Sequence, residues 1–421
     1  MTASTPAVSA VASSSASASS ATDDTRPILH WIEDDRAHQA RWQCANDMPM
    51  PKNVLPCDDT MSGDVAYRLA CEGTALLWRG DFQNAKMLLQ ALARRIDKAK
   101  ERKLVVTQRK AGSKTEKTIP GDPRAAAFHQ HRQKQAQRAR VLSMVLILVD
   151  ENFVINLRRA PDVSLPCGEV LGKNKAAFVI SLRELQGLIG AHEWRKKGVP
   201  IPALGASIHP NYGVFSPVRG EYVELVARVP LPAALATLPA YDIGTGTGVL
   251  AAVLAKRGVK KIIATEQEKT ILWCAKDNLQ RLRYLPQVQL VQTDLFPSAE
   301  LGPAGLIVCN PPWIPAKPSA AIEHAIYDPE SRMLRAFLHG VKAHLAPNGE
   351  AWLILSDIAE HLGLRKREDL LQWIADAGLK VAGRHDIRPA HAKSQDNTDP
   401  LHQARSAELT SLWQLTLPIL G

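Results

Sequence analysis

Short apolar runs alternate with amphipathic stretches along the second half of the chain. From about residue 209 onward, each run has four or five residues and is followed by apolar positions at helical spacing. Alternation of this kind predicts a parallel sheet with helices on both faces, closed by a hairpin of residues 380–387 and 410–417. The predicted helix that precedes the sheet covers residues 221–229, and the predicted strands cover residues 240–243, 261–265, 288–291, 306–309 and 351–355.

The first half of the chain has a less regular pattern. Two helices are predicted within residues 64–103, and Leu76 and Leu77 lie on the apolar face of the first. Residues 104–124 lose this periodicity and are expected to form an exposed loop. Residues 128–150 are predicted to be helical, polar and basic at first and then strongly apolar, and a mixed region follows them.

Three regions follow from this organisation. Residues 2–22 contain Ala, Ser, Thr and Val with one Pro and no Arg, which is typical of a disordered tail and not of a secretory signal or a transit peptide. We therefore predict a disordered tail over residues 1–25, a mainly helical α+β domain over residues 26–205 and an α/β domain over residues 206–421.

Cysteine usage and hydrophobicity argue against several classes of protein. The six cysteines are scattered, with no Cys-x-x-Cys pair, which disfavours both a zinc knuckle and a disulfide framework. No apolar run approaches the roughly 20 residues that a membrane span requires. We therefore expect a cytoplasmic protein that binds neither a metal ion nor a membrane.

One segment makes the chain basic. The formal net charge is +10, and residues 94–140 contain fifteen Lys or Arg against four Asp or Glu, so this basic segment carries +11 and the rest of the chain −1. Such a segment could neutralise several phosphates of a nucleic acid. Because its one aromatic residue is Phe128, it would bind the backbone rather than stack on bases. The alternative is a solvated helix face and loop.

A glycine-rich loop follows the strand predicted at residues 240–243. It reads Asp242-Ile243-Gly244-Thr245-Gly246-Thr247-Gly248. Its three glycines lie where the backbone must turn sharply and approach a ligand at the carboxyl edge of the sheet. A dinucleotide-binding loop would have Gly or Ala at Val249, so the sequence weakens a dehydrogenase interpretation, which the glycines alone leave open.

Two acids follow at the ends of the next two predicted strands. Glu266 ends the second strand and Asp294 ends the third. A carboxylate at such a strand end can accept hydrogen bonds from the hydroxyl groups of a ribose. Taken singly, either acid could also be a solvated strand end or a helix cap.

A narrow motif, Asn310-Pro311-Pro312-Trp313, follows the apolar run of residues 305–309. With the glycine-rich loop upstream, it resembles the class I S-adenosylmethionine-dependent methyltransferases, and more closely the branch that methylates nitrogen on flat amide or amino-base groups. The resemblance covers residues 215–417. It implies a Rossmann-like α/β fold with a seven-stranded sheet and helices on both faces, and S-adenosylmethionine as the cofactor.

The resemblance also implies roles for the residues around the two motifs. Glu266 would accept hydrogen bonds from the ribose and Asp294 from the adenine amino group, while Asp242 would orient the loop or the methionine amino group. The cofactor-binding set is Asp242, Gly244, Thr245, Gly246, Gly248, Glu266, Asp294 and Asn310.

The predicted catalytic residues are Asn310, Pro311, Pro312 and Trp313. An amide or base amino nitrogen is a poor nucleophile, because its lone pair is delocalised, so catalysis must orient it and stabilise its developing positive charge. The side-chain oxygen of Asn310 and the carbonyl of Pro311 can accept its two hydrogens. The prolines fix the turn, and Trp313 can stack on the flat target. The structural alternative is an ordinary strand-to-loop turn.

The motifs leave the substrate open. Residues 327–330, Tyr-Asp-Pro-Glu, resemble the release-factor glutamine methyltransferases, but the glycine-rich stretch that follows in those enzymes is missing, and Trp313 stands where they have Tyr. The basic segment favours a base in ribosomal or transfer RNA, with protein glutamine and a non-catalytic RNA-binding protein as alternatives. Four residues between the last two strands could reach the substrate or lie on the surface: His391, Lys393, His402 and Arg405.

Overall fold

The computed structural model describes residues 24–45, 48–111, 122–218, 220–318, 321–389 and 401–418, with the backbone alone for residues 99–111 and 321–322. The predicted disordered tail lies outside these residues except for its last two positions, and so do His391 and Lys393. No helix in the described ranges is long and apolar enough to cross a membrane.

A six-stranded mixed sheet organises the first half of the chain. Its strands, in chain order, are β1 (Ile28–Glu33), β2 (Arg36–Gln43), β3 (Asn53–Cys57), β4 (Thr74–Trp78), β5 (Val145–Val149) and β6 (Phe178–Ser181), and their spatial order is β1-β2-β6-β5-β4-β3. The helices are α1 (Gly63–Glu72), α2 (Phe82–Ala111), α3 (Pro123–Leu142), α4 (Ser164–Leu171) and α5 (Leu182–Lys197). Neighbouring residues of β4 enter different hydrophobic clusters, so the sheet is covered on both faces. This half is α+β, as predicted.

Two of the predicted helical stretches are wrong in part. Leu76 and Leu77 lie in strand β4, because α1 ends at Gly73, which has a φ of +93°. Residues 145–149 form strand β5 rather than the end of a helix. In both cases a short apolar run is buried on both faces of a sheet, and such a run has no periodicity that separates it from a buried helix. The predicted loop at residues 104–124 also begins as helix, since α2 continues to Ala111.

A small hairpin lies between the two halves. It consists of β7 (Val199–Ile201) and β8 (Ala206–Ile208), paired antiparallel, and the boundary predicted at residues 205 and 206 falls inside it. Val199, Ile201 and Ile208 pack in the core of the second half. We therefore propose that the second domain begins near Gly198.

The second half has the predicted seven-stranded sheet. Its strands are β9 (Ala240–Ile243), β10 (Ile262–Glu266), β11 (Val288–Gln292), β12 (Ala304–Cys309), β13 (Leu345–Ser356), β14 (Lys380–Ile387) and β15 (Thr410–Thr416), in the order β11-β10-β9-β12-β13-β15-β14. The first five strands are parallel, and β15 runs antiparallel to both β13 and β14. The predicted Rossmann-like α/β fold and closing hairpin are therefore confirmed.

Helices cover both faces of this sheet. They are α6 (Glu221–Arg228), α7 (Val249–Lys256), α8 (Lys269–Arg281), α9 (Arg332–His344), α10 (Ile358–His361), α11 (Arg367–Asp376) and α12 (His402–Ala407). Short 3-10 turns cover Ala233–Ala236, Leu285–Gln287, Ala299–Leu301, Ala321–Ala325 and Pro329–Ser331. Along β12, Leu306 and Val308 face one hydrophobic cluster while Ile307 and Cys309 face another, as strand geometry requires.

Candidate active site

The register of the parallel strands brings four predicted residues to one edge of the sheet. Ile243 of β9 lies opposite Thr265 of β10 and Cys309 of β12. Gly244, Glu266 and Asn310 therefore follow at the same level, and Asp294 stands two residues beyond β11, the next strand along. These are the carboxyl ends of the strands, where ligands bind in open α/β sheets.

The glycines of the cofactor loop, residues 242–248, have distinct reasons to be glycine. Gly244, Gly246 and Gly248 have φ angles of +69°, +56° and +80°, which residues with a Cβ rarely adopt. A Cβ on Gly248 would lie 3.3 Å from backbone atoms of Ala275 in α8, and one on Gly244 would lie 2.9 Å from the Met333 side chain. Gly246 has no such neighbour within 4 Å, so this part of the loop is open to a ligand.

Asp242 lies at the base of this loop and is 1% exposed. Its Oδ2 accepts hydrogen bonds from the Thr245 hydroxyl at 2.6 Å and from the Ala251 backbone N–H at 3.1 Å. Within the described part of the chain no hydrogen bond to Oδ1 is seen. Burial raises the pKa of Asp242 to about 6, and the charge of Glu266 acts in the same direction. Thr245 thus positions a carboxylate that keeps one oxygen for a ligand.

The other two acids differ in burial. Glu266 Oε2 accepts a hydrogen bond from the Gly246 backbone N–H at 3.2 Å, and burial raises the pKa of this carboxyl. Asp294 has a side chain that is 53% exposed, with its Oδ2 3.6 Å from the Arg332 guanidinium. Glu266 therefore lines the interior of the site beside the open glycine, and Asp294 lies at its outer end.

The target loop, residues 310–313, contains an internal hydrogen bond. The indole Nε1–H of Trp313 donates to the Asn310 side-chain oxygen at 2.9 Å. Because an indole nitrogen only donates, this contact fixes which end of the amide is the oxygen and where it points. An amide oxygen has two lone pairs, so one remains for a substrate hydrogen. Pro311 is buried and Trp313 is half-buried, packed against both core clusters of the domain.

Sequence reasoning missed the support beneath this loop. Asp328 is 5% exposed, and its two carboxylate oxygens accept from the backbone N–H groups of Met333 at 3.0 Å and Leu334 at 3.1 Å, in the first turn of α9. Burial raises the pKa of Asp328. Its own N–H donates to the Ile314 carbonyl at 2.9 Å. Asp328 therefore connects the segment after the target loop to α9, whose Met333 lies against Gly244. The Asp-Pro step before this helix was the sequence signal that could have indicated a capping role for Asp328.

The arrangement suits S-adenosylmethionine. The free oxygen of buried Asp242 can receive an ammonium group, and the open face at Gly246 allows close approach of a ligand. Among the described residues no group of three His, Cys, Asp or Glu is arranged to hold a metal ion. His402 and Arg405 lie on α12, beside Ala404, which packs near the target loop.

Comparisons with known proteins find similarity to methyltransferases. Residues 208–369 match the methyltransferase small domain family. The tRNA1(Val) (adenine(37)-N6)-methyltransferase of Shewanella putrefaciens is 27% identical over 179 residues, which cover 41% of this chain and 74% of that protein. The release factor glutamine methyltransferase of Shewanella oneidensis is 37% identical over 93 residues, which cover 22% of this chain and 31% of that protein.

Among solved structures, ribosomal protein L11 methylase from Lactobacillus delbrueckii subsp. bulgaricus is 18% identical, with a TM-score of 0.33, and the match covers 50% of this chain and 86% of that one. The family match confirms the predicted resemblance to methyltransferases and supports S-adenosylmethionine as the cofactor.

Proposed function

We propose that this protein transfers a methyl group from S-adenosylmethionine to the exocyclic amino nitrogen of a base in RNA. The observation that carries the proposal is the Asn310 side-chain oxygen, which Trp313 fixes in position at the strand edge beside the cofactor loop. A relative is named as an adenine-N6 methyltransferase of a transfer RNA, so adenine in transfer RNA is the target we propose first.

The target loop offers what a planar amino group requires. Bound S-adenosylmethionine supplies an electrophilic methyl group on a positively charged sulfur. Asn310 Oδ1 accepts one N–H of the target through its remaining lone pair, and the Pro311 carbonyl accepts the other, which aims the nitrogen at the methyl group. Both oxygens stabilise the positive charge that develops on nitrogen, and the surplus proton then passes to water. Trp313 covers the flat ring.

The acids at three neighbouring strand ends divide the cofactor between them. Asp242 Oδ1 receives the ammonium group of the methionine portion, and Glu266 accepts from the ribose hydroxyls. Asp294, at the outer end of the row, accepts from the adenine amino group. Gly246 allows the backbone to approach the ligand closely. These roles follow the order in which the strand ends stand along the edge of the sheet.

Protein glutamine is the second candidate substrate, because its amide is planar and presents the same two hydrogens. It is favoured by the match to a release factor glutamine methyltransferase and by residues 327–330. It is disfavoured by the basic segment, residues 94–140, which suits an RNA or ribosomal partner. A non-catalytic RNA-binding protein has no need for an intact target loop.

The test is to incubate the protein with methyl-labelled S-adenosylmethionine and a cell lysate, and then to digest the product with ribonuclease or with protease. Label released by ribonuclease, and absent with Asn310→Ala, supports the proposed RNA substrate. Label released only by protease would move the assignment to protein glutamine. No label with either digestion, at normal cofactor binding, would favour the non-catalytic alternative.

A further inference from the structure

We propose that a cleft between helix α3 and the residues after the target loop binds the RNA nucleotides that flank the target base. The flanking cleft has a volume of about 490 Å³. His129 and Gln133 of α3 form one wall, and Pro315, Lys317 and Glu330 lie on the other. The inference rests on the proposed RNA substrate and adds to it a second site, outside the cofactor and base positions.

The wall that α3 provides is fixed to the methyltransferase domain. Phe128 is 2% exposed and packs in a cluster with Ala316, Ile358 and other residues of the second half. One turn further along, the Arg132 guanidinium lies 3.8 Å from the centre of the Tyr327 ring and 3.1 Å from a carboxylate oxygen of Glu323. These contacts hold α3 in place, and they employ Arg132 in packing rather than in binding a ligand.

The cleft opens beside the proposed target position. Pro315 and Lys317 follow Trp313 by two and four residues, and Trp313 packs against the same cluster as Phe128. The Asp328 N–H donates to the Ile314 carbonyl at 2.9 Å. The wall formed by Pro315 and Lys317 therefore lies on the segment that continues the target loop and that Asp328 holds in place. An RNA strand that places its target base against Trp313 therefore places the neighbouring nucleotides in this cleft.

The chemistry of the lining suits a nucleotide better than a bare anion. Exposed Lys317 is a donor for a phosphate and has no carboxylate partner among the described residues. Exposed Glu330 would repel a phosphate but can accept a hydrogen bond from a ribose 2′-hydroxyl. His129 and Gln133 are four residues apart on one face of α3, where both can hydrogen-bond to base edges. The cleft volume lies within the range of roughly 300–1,000 Å³ typical of small-ligand sites.

The test compares two charge reversals that differ only in their position. Lys317→Glu changes a residue of the cleft, whereas Lys260→Glu changes an exposed residue before β10, at the opposite edge of the sheet and outside the basic segment. Binding of end-labelled bulk transfer RNA to the full-length protein is measured over a series of salt concentrations, with S-adenosylmethionine affinity as the check on folding. We expect Lys317→Glu to weaken RNA binding about tenfold and to reduce the salt slope by about 0.7, the value for one phosphate contact on a single strand.

Lys260→Glu should change RNA affinity by about twofold or less, and both variants should bind S-adenosylmethionine as the wild type does. Equal weakening by the two variants would mean that RNA binding responds only to the overall charge of the protein, and would overturn the proposed cleft. An unchanged affinity in Lys317→Glu would overturn it as well. A failure of the proposed RNA substrate can be distinguished from a failure of the proposed cleft, because the methylated product of the wild type would then release no label on ribonuclease treatment.

Discussion

The orientation of the Asn310 amide depends on a hydrogen bond from a residue of its own loop. Trp313 donates to the Asn310 side-chain oxygen through Nε1, so the aromatic residue has two separable properties, a flat surface and an N–H donor. A phenylalanine or tyrosine at this position has the ring but no donor at the indole nitrogen position. In the proposed mechanism, a tryptophan at this position therefore orients Asn310 as well as covering the target.

The first prediction separates these two properties. Trp313→Phe keeps a ring that can stack on the target but loses the N–H. A neutral hydrogen bond contributes about 1 kcal/mol, so we expect kcat to fall about fivefold while KM for RNA changes little. Trp313→Ala, which also loses the stacking surface, should raise KM as well. Steady-state kinetics on RNA distinguish the two, and a wild-type kcat in Trp313→Phe would exclude the positioning role.

The second prediction concerns pH. The folded pKa of Asp242 is about 6 because the carboxyl is buried. Below that pH the carboxyl is protonated and cannot pair with the ammonium group of the cofactor. S-adenosylmethionine affinity should therefore fall about tenfold between pH 7 and pH 5. Calorimetric titration measures it, and Asp242→Asn should bind weakly with no such pH dependence. An equally steep loss of affinity in that variant would contradict the assignment.

In the protein without cofactor, the raised pKa of Asp242 makes the free energy of unfolding depend on pH. The folded pKa lies above the value of about 3.9 for an unfolded aspartate, so the contribution of Asp242 to stability is fully present at low pH. It is lost as the pH rises through about 6, where the buried carboxyl ionises. The proposed contact with the cofactor favours the ionised form of Asp242, whereas stability favours the neutral form, as is common for a group retained for binding.

The role of an individual residue could be predicted from the sequence only where the residue belongs to a recognisable motif. Asn310 and the glycines are recognisable because few other arrangements use those residues at those positions. The Trp313 hydrogen bond depends on a side-chain rotamer, and the support by Asp328 depends on pairing between Ile314 and a segment thirteen residues later. The hydrogen bond leaves no local pattern, and the Asp-Pro step indicates the start of a helix but not the pairing with Ile314, so both required the structure.

At the scale of elements, strands were predictable where helical segments bounded them. The predicted limits of β9 and β14 agree with the structure to the residue, since each apolar or alternating run is flanked by loops or helices. Strands β1 to β3 were not predicted, although β1 alternates exposed and buried positions over Ile28–Glu33. Six residues of alternation are a weak signal beside the longer helical patterns that follow them.

The third prediction tests the attachment of α3. Phe128→Ala removes the side chain that fills the cluster between α3 and the second half. Such a truncation costs about 3 kcal/mol of stability at the low end of its usual range. Amide hydrogen exchange in Pro123–Leu142 should therefore become on the order of 100-fold faster. Phe128→Leu, which retains most of the volume, serves as the control and should remain close to wild type. The amides of β9 and β10 should keep their protection, and uniform acceleration across both would contradict a local attachment.

At the scale of the whole molecule, one part of the basic segment packs beside the candidate active site. The sequence located fifteen cations within residues 94–140 but could not indicate which of them would stand near the target loop. That depends on contacts between Phe128 and residues such as Ala316 and Ala404, which lie far away along the chain. The number of charged residues can be counted in a sequence, whereas their position relative to a site depends on tertiary packing.

The central claim is that Asn310 acts on the target amino group rather than on the cofactor alone. The most direct measurement compares wild type and Asn310→Ala in two assays, calorimetric binding of S-adenosylmethionine and single-turnover methyl transfer to bulk transfer RNA. We predict a cofactor affinity within about twofold of wild type and a transfer rate reduced by about 100-fold or more, as for loss of one preorganised group at a reacting centre. A parallel loss of binding and transfer, or a transfer rate that survives the substitution, would contradict the account.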